Sequence, residues 1–250
     1  MLRAFFDESG THAEAPVTAI AGFIGKESEW TAVEDLWRPL LADVQHLEVK
    51  TFHAAPAIAQ EGEFGRVDKP TRNYLLTQIS KALRGSGILA LCSAVPQDDW
   101  NAVVTDPTFL ARFPRPFDLC FDDIVRQMTK WSREYANREL VVPMFAYQHE
   151  YYPRMADIGK AYGAEDWYKR TLGPISFGYT EQTIPLQGAD LLVHEMAIEI
   201  ADQRNAPDLG TRELLTRTIG LETPLGHWFD RGALKNTLER FRETGEIYKV

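Results

Sequence analysis

Two acids stand side by side where a short apolar run ends: Ala4-Phe5-Phe6 leads directly into Asp7-Glu8, with Ser9 and Gly10 behind them. A carboxylate is costly to bury unless it is paired or bound to a metal, so acids at the end of a core strand point to chemistry. A second acid lies far along the chain. Asp190 sits early in the almost wholly apolar stretch Leu186 to Ile200, and His194 falls one helical turn further on the same face. Brought together across a sheet, Asp7 and Asp190 would hold one divalent ion, with His194 spaced to face it too. Asp190 would equally suit the positive end of a helix that Pro185 helps to start.

The remaining candidates carry weaker signals. No G-x-S-x-G elbow surrounds Ser9, which suits a turn hydrogen bond better than a nucleophile. Gln187 could orient backbone, orient a metal-bound water, or simply bond at the helix start. His53, after Phe52, is either a structural histidine or a proton shuttle beside an acidic cluster, and His149 is similarly open. Arg126, Lys130 and Arg133, preceded by Arg112 and Arg115, could track phosphates, but pairs such as Asp122 with Arg126 and Glu134 with Arg138 fit a solvated helix face. Trp131, Trp167, Tyr151, Tyr152 and Tyr168 could stack on bases or belong to the core.

Whatever positions these residues is a globular chain of 250 residues, 44% hydrophobic and 25% charged, long enough to bury a core. Its net charge of −9 counts against tight nonspecific binding of nucleic acid and suits a cation site. No apolar run approaches the roughly 20 residues of a membrane helix, and Asp7 and Glu8 interrupt any signal-peptide pattern, so a cytoplasmic protein is expected. Cys92 and Cys120 form neither a zinc motif nor a disulfide framework. No Walker loop or G-x-G-x-x-G follows a strand, which sets nucleotide-cofactor enzymes aside.

Period and punctuation predict strands at 2–7 and 17–25, paired antiparallel, then a helix at about 28–46 that Pro39 should kink or break. Trp30, Val33, Leu36, Trp37, Leu40, Leu41 and Val44 share its apolar stripe. A loop-like stretch over 50–64, a helix at 69–84 and a strand at 88–95 follow. Residues 97–116 read as irregular or partly helical. A long helix at 117–137, a strand at 140–147, a helix at 152–163, a strand at 174–179 and a helix at 186–204 complete the core. Two more helices, near 211–219 and 231–244, close the chain. The expectation is a single mixed α/β domain with its core over about 1–204 and a helical extension over 205–250.

Phe5-Phe6-Asp7-Glu8-Ser9-Gly10 and Ile184-Pro185-Leu186-Gln187-Gly188-Ala189-Asp190-Leu191-Leu192 resemble, in order and separation, the two signature motifs of domain-of-unknown-function family 3800. Phe52-His53-Ala54 resembles an intermediate element of that family. The resemblance, spanning residues 2 to about 204, implies a ribonuclease H-like fold: a mixed β-sheet flanked by helices, where an acid of the first strand and an acid of a late helix meet at a metal site. Asp7 and Asp190 match those two acids. Glu8 and Ser9 fall inside the first motif and Gln187 inside the second. Nucleases of this fold place a further acid at the end of a middle strand. Gln148-His149-Glu150 stands there instead, leaving Glu150, or Glu181 in the loop before the late helix, to supply it.

Carboxylates of this kind suit Mg²⁺ or Mn²⁺, and two such ions about 3.5–4 Å apart activate water and stabilise the leaving oxygen in phosphodiester hydrolysis. The expected function is therefore a divalent-metal-dependent nuclease or phosphodiesterase acting on DNA or RNA. The competing reading is a catalytically silent ribonuclease H-like binding module in a phage-defence or mobile-element system. A haloacid-dehalogenase-type phosphatase would want a second Asp where Ser9 stands.

Overall fold

The computed structural model describes residues 1–12, 14–44, 49–164, 168, 170–206, 211–220 and 224–248. Its centre is a six-stranded sheet built from β1 (Leu2–Ser9), β2 (Val17–Lys26), β3 (Leu89–Pro96), β4 (Val141–Ala146), β5 (Ser176–Gly178) and β6 (Leu225–Trp228). The order across the sheet is β5-β4-β1-β2-β3-β6. β2 pairs antiparallel with β1 and with β3, whereas β1–β4, β4–β5 and β3–β6 are parallel. Only β2 opposes the rest. This is the mixed α/β sheet flanked by helices that the pattern of strands and helices predicts.

Ten α-helices are described: α1 (Glu27–Val44), α2 (Ala54–Ala59), α3 (Lys69–Gly85), α4 (Gln97–Val103), α5 (Pro107–Arg112), α6 (Pro116–Tyr135), α7 (Tyr152–Ala164), α8 (Ile184–Asn205), α9 (Glu213–Ile219) and α10 (Arg231–Thr244). Because successive strand side chains point to opposite faces, Phe5 and Phe6 serve different cores. Phe5, Ala21 and Phe23 pack with Trp30 and Trp37 of α1, Ile79 of α3 and Leu191 of α8. Phe6, Ile20 and Ile24 pack on the other face with Phe121, Ile124 and Met128 of α6. Nine of the ten residues of β2 are buried, as expected of a central strand covered on both sides.

Several sequence expectations shift. α1 runs through Pro39 without a break, and Leu36 is 58% exposed, off the buried stripe. The stretch over 50–64 is not all loop: it contains α2 and the start of a 3-10 turn over Gly62–Arg66, elements too short to show a period. Residues 97–116 are partly helical, one of the two readings expected: they contain α4 and α5, started by Pro96 and by Asp106, whose carboxylate accepts from Thr108 N and Phe109 N. The stretch after 205 is not purely helical, since β6 extends the sheet beside β3. Its sequence Leu-Gly-His-Trp has no alternation of buried and exposed residues, and only its pairing makes it a strand. Among the described residues no helix is long and apolar enough to cross a membrane. Cys92 and Cys120 are free and buried.

Candidate metal and acid–base site

β1, β4 and β5 run parallel, so their carboxyl ends emerge at one edge of the sheet, the usual place for ligands in open α/β sheets. Asp7 lies at this end of β1, opposite Ala21, and is buried at 8% exposure. Its Oδ1 accepts the Glu8 N–H at 2.8 Å. Next to it, Gly22 lets β2 approach: a Cβ there would stand 1.9 Å from the Phe5 carbonyl oxygen.

α8 packs on β1 and β2 and is buried on several sides, which forces its few polar side chains to find partners. Asp190 Oδ2 accepts the Ala54 N–H at 2.8 Å, satisfying a donor in the first turn of α2, and stands 3.6 Å from Nδ1 of His53. Gln187 is buried and ties three segments together. Its Oε1 accepts from Phe52 N and its Nε2 donates to the Thr180 carbonyl, both at 3.2 Å. The amide thus orients backbone and holds the Phe52-His53-Ala54 segment against α8.

The electrostatics are those of crowded acids. Burial, then the charges of Glu8 and Asp190, push the Asp7 carboxyl well above the usual carboxylate range, and its bond from the Glu8 N–H opposes this only in part. Burial pushes Glu8 up to about 7 against the hydrogen bonds it receives from Asp7 and Gln148, and Asp190 adds to the rise. The Asp7–Glu8 side-chain bond requires one proton between the two carboxyls. His53 is raised above the ordinary histidine value, chiefly by its contact with Asp190. Burial opposes the rise, while the charges of Asp190, Glu181 and Glu63 reinforce it.

The other expected residues divide. Ser9 ends β1, paired with Ala19. Glu181 is exposed and reaches the site only through its charge on His53. Glu150 is engaged elsewhere: it is exposed and pairs with Arg115 Nη1 at 3.2 Å. The histidine touching Asp190 is His53. His194 feels the charge of Asp190, but burial holds its imidazole below the ordinary value. Gln148, which occupies the position beyond the middle strand, bonds to Glu8. A polar residue just past a buried strand was the available signal, but only the tertiary structure reveals its partner.

The basic stripe is largely neutralised. Arg126 pairs with Asp122 at 2.7 Å and with Glu246, Arg112 with Glu246, and Arg115 with Asp118. Tyr151 and Tyr168 are buried, and Trp167 lies outside the described residues.

Among the described residues no three His, Cys, Asp or Glu side chains converge to hold an ion. Asp7 and Asp190 with Glu8 nearby make an oxygen-only set of low count. That set fits Mg²⁺ or Mn²⁺, which bind through one or two carboxylates and keep several waters, better than Zn²⁺, which wants nitrogen or sulfur.

No family model matches the chain, and no curated protein matches it. Among solved structures, a chain of the PCNA:RNase HII complex from Archaeoglobus fulgidus is similar to it over 98% of this chain and 90% of that chain, with 11% identity and a TM-score of 0.40.

Proposed function

We propose that the chain is a divalent-metal-dependent phosphodiesterase acting on nucleic acid, with Asp7 and Asp190 as ligands of Mg²⁺ or Mn²⁺ and Glu8 in support. The observation that carries this reading is the crowding of acids at the carboxyl edge of the sheet, where burial and the nearby charge of Asp190 hold the Asp7 and Glu8 carboxyls above their ordinary pKa. Carboxylates crowded this way are stabilised by a cation. The likeness of both end motifs to domain-of-unknown-function family 3800 implies that an acid of the first strand and an acid of the late helix share a metal site.

When bound, the metal supplies an activated water and charge stabilisation at the phosphorus. The protein's own residues do the rest. Asp190 is held by the Ala54 N–H, so its Oδ2 is fixed in direction. His53, half exposed and raised in pKa chiefly by its contact with Asp190, is placed to pass a proton to a leaving oxygen. Gln187 holds that histidine's segment in place.

Two observations favour the silent-module reading: the amide of Gln148 stands where an acid is expected, and Glu150 is tied to Arg115. Calorimetric titration of Mn²⁺ into wild type, Asp7→Asn and Asp190→Asn separates the two. Heat in the wild type that both variants lose, followed by Mn²⁺-dependent cleavage of labelled single-stranded or duplex DNA or RNA, is the expected result. A wild type that binds no ion would sink the metal site and leave the silent module.

A further inference from the structure

The sheet carries a row of rings on neighbouring strands, buried Phe6 and Phe145 and partly buried Phe177. Phe6 and Phe145 have centroids 5.1 Å apart, and Phe145 and Phe177 are 6.5 Å apart. Two residues further toward the carboxyl ends, the same alternation places Glu8, Tyr147 and Tyr179 in the next row. There the rings come out of the core. Tyr147 and Tyr179 have centroids 5.3 Å apart, and Tyr152, at the start of α7, closes on Tyr147 at 5.4 Å and on Phe177 at 4.9 Å. Tyr152 is 40% exposed and Tyr179 53% exposed. Three tyrosine rings therefore form a partly open aromatic platform in the same row as Glu8 of the candidate acidic site. Gln148, next in sequence to Tyr147, is the residue that hydrogen-bonds Glu8.

We propose that this platform binds an unpaired base of a single-stranded nucleic acid and thereby sets a phosphodiester of the same strand beside Asp7 and Glu8. The inference rests on the phosphodiesterase reading and names its substrate class. A base fits the surface better than a phosphate does. The chain carries a net charge of −9, and Arg112, Arg115 and Arg126 are already held by carboxylates, so affinity must come from ring faces more than from phosphate contacts. Stacking tolerates any base and needs the strand to be unpaired, because a duplex hides its base faces. Binding should accordingly depend only weakly on salt.

The test is fluorescence anisotropy of a labelled oligothymidylate, an abasic oligonucleotide of equal length and a duplex. Each is titrated with the full chain in Ca²⁺, and oligonucleotide integrity is checked on a gel. Wild type should bind the oligothymidylate at least about tenfold more tightly than the abasic strand, with the duplex weaker. Tyr152→Ala/Tyr179→Ala should abolish that difference, and Tyr152→Phe/Tyr179→Phe, which keeps the rings, should retain it. Equal binding of the two strands by wild type, or a difference that survives the double alanine variant, overturns the proposal. It also fails if the alanine variant turns a dimer into a monomer without changing oligonucleotide binding, since the platform is then a contact between copies of the chain. Base-dependent binding by a protein that cleaves nothing in Mn²⁺ would sustain the platform and refute the phosphodiesterase. Cleavage without base dependence would do the reverse.

Discussion

Replacing Glu8 with Gln should stabilise the metal-free protein, and the gain should depend on pH in a way that only the crowded acids explain. The Glu8 carboxyl rises from 4.5 to about 7 in the fold. A carboxyl raised in this way binds its proton more tightly folded than unfolded, so its stabilising contribution is complete below 4.5 and is lost as pH rises through about 7. At about 1.4 kcal/mol per pH unit the loss approaches about 3 kcal/mol, and sharing a proton with Asp7 reduces what a single substitution recovers to about 1–3 kcal/mol. Glutamine mimics the protonated carboxyl and can still accept from Gln148. Urea unfolding with chelator present should therefore find Glu8→Gln about 1–3 kcal/mol more stable than wild type at about pH 8 and equal to it at about pH 4. Saturating Mn²⁺ should narrow the gap, because an ion at 100 times its dissociation constant stabilises the wild type by about 2.7 kcal/mol. A variant that is less stable than wild type at alkaline pH, or whose advantage is the same at both pH values, refutes the electrostatic account of the site.

Gln187→Leu strands the Phe52 N–H and the Thr180 carbonyl it serves; it should cost about 1–3 kcal/mol in thermal unfolding and displace the His53 resonance in NMR. Gly22→Ala should unfold the chain or destabilise it by several kcal/mol, on the order of an overpacked core site, because its Cβ meets the Phe5 carbonyl; circular dichroism melts indistinguishable from wild type would contradict that close approach. His227 is held above its ordinary value chiefly by its 2.8 Å contact with the buried Asp123, partly opposed by its own burial. Its contribution is complete below 6.5 and disappears as pH climbs through the raised value, so His227→Gln should cost more at about pH 5.5 than at about pH 9, with the difference held below about 1 kcal/mol because the side chain is 43% exposed and solvent screens the pair. A cost that stays constant with pH would show that the imidazole acts there by packing alone.

Apolar runs and helical stripes determined the strands and helices of this protein because burial of both faces of β1 and β2, or of one stripe of α1 and α3, requires those patterns wherever the element lies. They also determined that Asp7 would stand at the end of a core strand and Asp190 near the start of a buried helix, since a carboxylate in such an apolar run is legible without coordinates. Contacts between segments far apart in the chain were decided by the tertiary structure. His53 meets Asp190, where helical spacing favoured His194, because Gln187 ties the Phe52 segment across α8. Glu150 is drawn away to Arg115, and Gln148 faces Glu8. β6 has no alternation of its own and becomes a strand only because β3 offers it an edge. Local pattern records what an element must bury, whereas the identity of a polar partner depends on how the chain returns, and no local period encodes that path.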